Sequence, residues 1–288
     1  MGHHKRYQRD YQGDGVVIIT KLMGGLGNQM FQYACAKAIA EANQTKAFVD
    51  KSFLEDKNSG VTVFRNFELD LFPNIKAFSY AGEQCEVIPV HEPHYHCSHE
   101  IKNVRLNENQ HLYLVGYWQT YKYFESIEKK IRHEFMFPDI SETKTEKLRQ
   151  KILSENSVMI NVRRADYLTD SLFEDITMDY YDVCISKIEN MIVNPTFYVF
   201  SDDVDWCKQN FDDDKFTVVD HSHKGQKFID YLNLMSSCKH HIIPNSTFAW
   251  WSAWLNENDD KIVFYPSKWF TDSNKKTEDL FPSDWIKV

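Results

Sequence analysis

The chain reads as an α/β protein made of two halves, each a parallel sheet covered by helices. Three observations predict this. Short apolar runs rich in β-branched residues recur at 16–22, 46–50, 111–115, 157–162, 196–201, 216–220, 240–244 and 261–265. Stretches with apolar residues at helical spacing separate several of these runs. Within the runs apolar residues are nearly continuous rather than alternating, as in strands buried on both faces.

The elements follow in order. The run 16–22 is a strand ended by Gly24-Gly25-Leu26-Gly27. Asn28 is placed to cap the helix that follows, which carries Phe31, Ala34, Cys35, Ala38, Ile39 and Ala42 at helical spacing. With 46–50 as the next strand this is a βαβ unit, so the two strands run parallel. Residues 52–115 mix short apolar pieces with Pro, Asn and charge, which predicts loops and short elements. A short strand, 111–115, leads into Gly116-Tyr117-Trp118-Gln119, and 124–135 reads as a helix. The stretch 138–145 is the linker candidate. The domains expected are therefore a tail at 1–15, a first α/β domain at 16–150 and a second at 151–288. In the second, Tyr181, Cys184, Ile185, Ile188 and Ile192 mark one helix, and Phe228, Leu232 and Met235 mark another. Phe248, Trp250, Trp251 and Trp254 recur at helical spacing and read as core, with room for one ring in a pocket wall.

Composition narrows the function. With 288 residues, 42% hydrophobic and 15% aromatic, the chain is globular. Lys+Arg number 33 against 42 Asp+Glu, a net charge of −9, which argues against nucleic-acid binding along a basic face. No apolar run approaches the roughly 20 residues of a membrane span. The first fifteen residues are polar and lack the apolar centre of an export signal. None of the six cysteines forms a C-x-x-C pair, so they read as reduced thiols in a cytoplasmic protein.

In doubly wound sheets ligands bind beyond the carboxyl ends of the strands. Standing there in the second half are Arg163 and Arg164, Ser201-Asp202-Asp203, Asp220, and Asn245-Ser246-Thr247. Arginines, carboxylates, hydroxyls and an amide on one edge make the chemistry of a sugar-nucleotide pocket. An arginine at a strand end can grip a diphosphate through paired N–H donors; the ordinary alternative is a surface ion pair. Asp203-Val204-Asp205 spells D-x-D, a spacing that can hold Mn²⁺ or Mg²⁺. The Asp202–Asp203 pair could equally accept bonds from a base or ribose, or simply cap a helix. In the first half, the GGLGNQ segment lacks both the third glycine of a dinucleotide fingerprint and the lysine of a phosphate-binding loop. It leaves a glycine turn at a helix start, which offers bare N–H groups to an anion or serves packing alone. His91, His94, His96, Cys97 and His99 crowd one segment, at spacings too irregular for a recognisable zinc site.

Together, GGLGNQMFQYA, GYWQ, RRADY, a strand ending FSDD, NSTFAWW and YPSKW resemble glycosyltransferase family 11, the α-1,2-fucosyltransferases, over residues 16–270. The resemblance implies a GT-B-like fold, two Rossmann-type α/β halves facing a central cleft. It implies metal-independent, inverting transfer of fucose from GDP-β-L-fucose to O2 of a galactose-containing glycan, with no cofactor. By position, Arg163 matches the arginine on the donor diphosphate, and Asp202 or Asp203 would bind guanosine beside Ser201. Asn245, Ser246 and Thr247 would hold the β-phosphate side, and Gly25, Gly27, Asn28 and Gln29 would border the cleft. The family pattern H-x-R-R-G-D-Y is here Asn161-Val162-Arg163-Arg164-Ala165-Asp166-Tyr167. Asn161 replaces a histidine and cannot take a proton near neutral pH; Asp166 is one candidate base, and a loose transition state would need little help from any base. The alternatives are a metal-dependent transferase using Asp203 and Asp205, and a homologue that binds GDP-sugar or glycan without turnover.

Overall fold

The structure, a computed structural model, describes residues 16–56, 65–79, 87–93, 96–107, 111–164, 176–272, 275 and 277–288. The 1–15 segment, Cys85, His94, Ala165, Asp166 and Tyr167 lie outside these. The chain divides into two units, Met1–Met136 with Lys276–Phe281, and Phe137–Lys275 with Pro282–Val288. Among the described residues no helix is long and apolar enough to cross a membrane.

In the first unit, β1 (Val17–Lys21) is followed by α1 (Leu26–Ala42) and β2 (Lys46–Asp50). A single-turn α2 (Ser52–Glu55), β3 (Phe78–Ser79), β4 (Val87–His91), a single-turn α3 (His99–Lys102) and β5 (His111–Val115) come next. All strands pair parallel in the order β3-β2-β1-β5-β4. The region 52–115 thus holds short elements, as its composition suggests, and three of them are strands, β5 being the one expected at 111–115. β4 carries Pro89 and is only partly buried, which a strand with a free edge tolerates. The predicted helix 124–135 begins late. Turns of 3₁₀ helix at Tyr121–Tyr123 and Glu125–Ile127 precede α4 (Glu128–Glu134), and they seat Tyr123 and Phe124 in the core.

The glycine segment is built differently from the capping expected of Asn28. The helix starts three residues earlier, at Leu26, and extended Gly25 is its N-cap. Gly25 O accepts the N–H of Asn28 and of Gln29. Gly24 is left-handed at φ +75°, and a Cβ there would lie 2.4 Å from the Asn28 amide, so only glycine fits. Two buried glutamines then staple the turn. Gln29 donates to Gly24 O and Asn66 O and accepts from Glu68 N–H. Gln32 accepts from Met23 N–H and donates to Gly116 O.

In the second unit, α5 (Thr143–Ser154) leads to β6 (Ser157–Val162), α6 (Met178–Met191), β7 (Thr196–Ser201), α7 (Val204–Asn210) and β8 (Phe216–Val219). α8 (Ile229–Ser237), β9 (His240–Ile242), α9 (Thr247–Leu255), β10 (Val263–Tyr265) and β11 (Ile286–Lys287) complete it. This sheet is also wholly parallel, in the order β11-β10-β9-β6-β7-β8. Every residue of β6 is buried. Val158, Ile160 and Val162 on one face of β6 pack with Phe197, Val199, Ile185 and Ile188. α9 is apolar all round, and Trp250 and Trp251 are completely buried, so these rings are core and line no pocket.

Replacing Gln29 by Ala removes three part-buried hydrogen bonds, to Gly24 O, to Asn66 O and from Glu68 N–H. The expected loss is about 2–3 kcal/mol of stability, read from the denaturant midpoint at constant slope. A loss below about 0.5 kcal/mol, the range of an ordinary surface change, would show that the staple does not hold the turn.

Candidate active site

Both sheets reverse direction beside their first strand, and ligand crevices form at such reversals. In the second unit the chain builds outward from β6 through β7 to β8, then returns to place β9 on the other side of β6. The carboxyl ends of β6 and β9 are therefore adjacent, with Ile160 opposite Ile242 at the last shared register. Arg163 and Arg164 follow β6, and the turn Pro244-Asn245-Ser246 follows β9.

Both arginines make ion pairs at this edge. Each meets one carboxylate of the FSDD segment. Arg163 Nη1 lies 3.1 Å from Asp202 Oδ2, and the Arg164 backbone N–H donates to Asp202 Oδ1 at 3.0 Å. Arg164 Nε lies 3.3 Å from Asp203 Oδ2, and its guanidinium sits 4.2 Å from the Trp206 ring centroid. The Arg163 and Asp202 side chains keep 28% and 17% of their surface exposed. Water-exposed pairs of this kind add little stability; what Asp202 supplies is aim, tying the ends of β6 and β7 together and fixing the Arg163 guanidinium. Asp203 also caps α7, accepting the Trp206 N–H at 3.1 Å, and takes its own N–H bond to Ser201 Oγ. The capping option left open from sequence is thus realised at Asp203.

Asn161, a candidate for the reaction centre, points into the sheet instead. Its side-chain amide donates to Phe200 O, and its backbone carbonyl accepts from the Tyr181 hydroxyl. This is a strand-to-strand tie, and the side chain is buried. Ser201 is likewise buried scaffold. Beneath it lies a residue sequence reasoning passed over. The Tyr231 hydroxyl accepts from Ser201 N–H and donates to Val219 O, joining the ends of β7 and β8. Burial pushes that phenol's pKa up, so it stays a donor. In sequence, Tyr231 is one more apolar position of α8, which is why its role was hidden. His221 Nε2 lies 2.8 Å from Ser201 O and was passed over too.

At β9, buried Asn245 donates to Trp269 O and so anchors the turn. Ser246 is the N-cap of α9 with extended backbone, but its hydroxyl caps nothing. The first helical bond is Trp250 N–H to Ser246 O. The two helix starts at this edge therefore differ: α7 is closed by the Asp203 carboxylate, whereas the N-cap side chain of α9 takes no helix N–H. Such a helix start attracts an anion.

In the first unit the reversal lies between β1 and β5. Gly24-Gly25 follows β1 and Gly116-Tyr117-Trp118-Gln119 follows β5. The two motifs meet there, with Gln119 Nε2 donating to Asn28 Oδ1 at 3.0 Å across a separation of 91 positions. Glu92 at the end of β4 accepts the N–H of Tyr117 and of Trp118, and burial raises its carboxyl pKa. A Cβ on Gly116 would lie 2.4 Å from Glu92 Cβ, which explains that glycine. Gln29, proposed at the cleft border, is fully buried in its staple. Among the described residues no three His, Cys, Asp or Glu side chains are grouped to hold a metal. Asp205 is exposed on the first turn of α7.

The profile of glycosyl transferase family 11 matches residues 5–288. An α-1,2-colitosyltransferase of Escherichia coli is 28% identical over 94% of this chain and 99% of its own. The O-antigen biosynthesis glycosyltransferase WbnK of Escherichia coli is 32% identical over 93% and 99%. The human galactoside α-(1,2)-fucosyltransferase 1 is 27% identical over 92% and 73%. Among solved structures, the NodZ α-1,6-fucosyltransferase soaked with GDP-fucose superposes with a TM-score of 0.51 at 12% identity, over 84% of this chain and 93% of that one. This likeness is one of fold, and it agrees with the GT-B-like class expected from sequence.

Changing Tyr231 to Phe leaves the Ser201 N–H and one Val219 carbonyl bond unmade inside the core. The expected cost is about 2–3 kcal/mol, measured by chemical denaturation. An unchanged midpoint would remove Tyr231 from the frame of the site.

Proposed function

Because the chain belongs to glycosyltransferase family 11, we propose that it transfers L-fucose from GDP-β-L-fucose to O2 of a galactose-containing glycan, inverting the anomeric centre without a metal ion. One observation carries this reading: Arg163 and the first turn of α9 flank the reversal point of the second sheet. That is a cationic fork beside a helix start, the two groups a leaving diphosphate requires. The galactoside fucosyltransferase among the relatives supports the donor and acceptor.

Breaking the fucose–phosphate bond places negative charge on GDP and positive charge on the sugar ring. Arg163, aimed by Asp202, stabilises the diphosphate from one side. The α9 N–H groups and the Ser246 and Thr247 hydroxyls do so from the other. All are set in place before reaction, so little reorganisation opposes charge development. The acceptor hydroxyl attacks the opposite face of the sugar. Asp166, the carboxylate next along from Arg164, is the base this reading assigns; general base catalysis adds typically about 10²–10⁴-fold. Asn161 keeps its place in the sheet and takes no proton. The metal-free reading is supported by Asp203, whose oxygens serve Trp206 and Arg164.

A second donor is favoured by the colitosyltransferase relative. Colitose is fucose without its 3-hydroxyl, so the two sugars differ by one hydrogen-bonding group. A site built to bond that hydroxyl rejects the deoxy sugar strongly, whereas an apolar wall does not reject it.

The test is product formation from GDP-fucose and, in parallel, GDP-colitose in excess EDTA, with and without lactose. Lactose-dependent fucosylated product in EDTA is the expected result. Activity that appears only with Mn²⁺ overturns the metal-free mechanism, and turnover of GDP-colitose alone overturns the donor. Arg163→Ala should lose about 10²–10³-fold in kcat, the usual effect of deleting one preorganised donor, with its thermal midpoint little changed. Near-wild-type turnover would remove Arg163 from the mechanism.

A further inference from the structure

The carboxylates that sequence offers for guanosine, Asp202 and Asp203, are held by Arg163, Arg164 and the Trp206 N–H. A different carboxylate at the same edge is not so held. Asp230 lies in the first turn of α8, inside a helix whose other first-turn residues are core. It is only 7% exposed, yet among the described residues no hydrogen bond or ion pair reaches its oxygens. Burial raises its pKa, and the nearby Glu142 carboxylate adds to the effect. Its oxygens are nevertheless not among the sealed, unpartnered polar atoms, so the carboxylate is lined by the fold and open to a donor from outside it.

The chain before Asp230 is shaped around it. Gly225 is left-handed at φ +64°, and a Cβ there would lie 2.4 Å from both Cγ and Oδ2 of Asp230. Lys227 and Phe228 are left-handed as well, at φ +47° and +67°. Non-glycine residues take this region only under constraint, and such strain gathers at ligand sites. Tyr231, the next residue, pins the first turn of α8 to the ends of β7 and β8. α8 also packs beside α9. The carboxylate therefore stands on the carboxyl edge that carries Arg163 and Ser246.

Two carboxylate oxygens without donors complement a planar group that presents two adjacent N–H donors. Guanine has such a pair, N1–H and the 2-amino group, and adenine has no such pair. We propose that Asp230 reads the base of the donor, accepting N1–H and the 2-amino group of guanine, with Gly225 providing the clearance. This rests on the guanosine diphosphate donor proposed above.

The test is calorimetric titration of the full chain and of Asp230→Asn with GDP, IDP and ADP, beside their thermal midpoints without nucleotide. IDP lacks the 2-amino group. Wild type should bind GDP about 10–100-fold tighter than IDP, the value of one hydrogen bond to a charged group, and ADP more weakly still. In Asp230→Asn the GDP-to-IDP ratio should collapse toward one, while the midpoint does not fall, because the change removes no bond to the described residues and relieves the repulsion from Glu142. Equal loss for all three nucleotides together with a lower midpoint would show a structural carboxylate and overturn the proposal. A GDP-to-IDP ratio unchanged from wild type would overturn it too and leave the donor reading standing. Failure of the wild type to bind GDP would overturn both.

Discussion

Strands that pair parallel cannot be joined by tight turns, so each must be followed by a crossover that returns to the starting edge. Both sheets here are parallel throughout, and the rest of the structure follows from that constraint. It buries the strands on both faces, which is why β6 is buried along its whole length. It also puts all the strand-to-helix turns of a sheet on one edge. Polar residues that lie far apart in sequence become neighbours there, and where the strand order reverses they find an opening between diverging crossovers.

At that edge electrostatics organises more than it stabilises. Asp202 holds the side chain of Arg163 and the backbone of Arg164. Asp203 holds Arg164 and the start of α7. These groups are partly exposed, where ion pairs contribute little to folding. Their effect is positional: a guanidinium oriented by a carboxylate needs less reordering when an anion arrives. The scaffold beneath works by the opposite logic. Tyr231, Asn161 and Ser201 are buried, and each closes bonds between strand ends that water cannot satisfy. Asp230 breaks this pattern: little of it is exposed, yet among the described residues no donor reaches it.

The glycine motif shows how one stretch can be read correctly as a place and wrongly as a set of roles. Strand, turn and helix were legible from β-branched run, glycines and periodicity. Asn28 was read as the cap, but Gly25 takes that position, because a left-handed Gly24 lets the helix begin earlier. Gln29 was read toward the ligand, whereas it is one of two glutamines that hold the turn shut from inside. A glutamine's hydrogen-bonding partners are not encoded in its neighbours along the chain.

By itself the sequence determined the fold class and most of the strands, since nearly continuous apolar runs such as those of β6 and β7 have few alternatives once helices alternate with them. It also determined which polar segments stand at the carboxyl edge, because that follows from the ends of those strands. The short strands β3 and β4 escaped it: a two-residue pairing and a proline-bearing edge carry no periodic signal. Only the tertiary structure decided the pairings within the edge. Asp202 meets Arg163 across 39 positions, and Gln119 meets Asn28 across 91. Sheet order and register set such contacts, and they arise from the packing of the whole chain rather than from any local pattern.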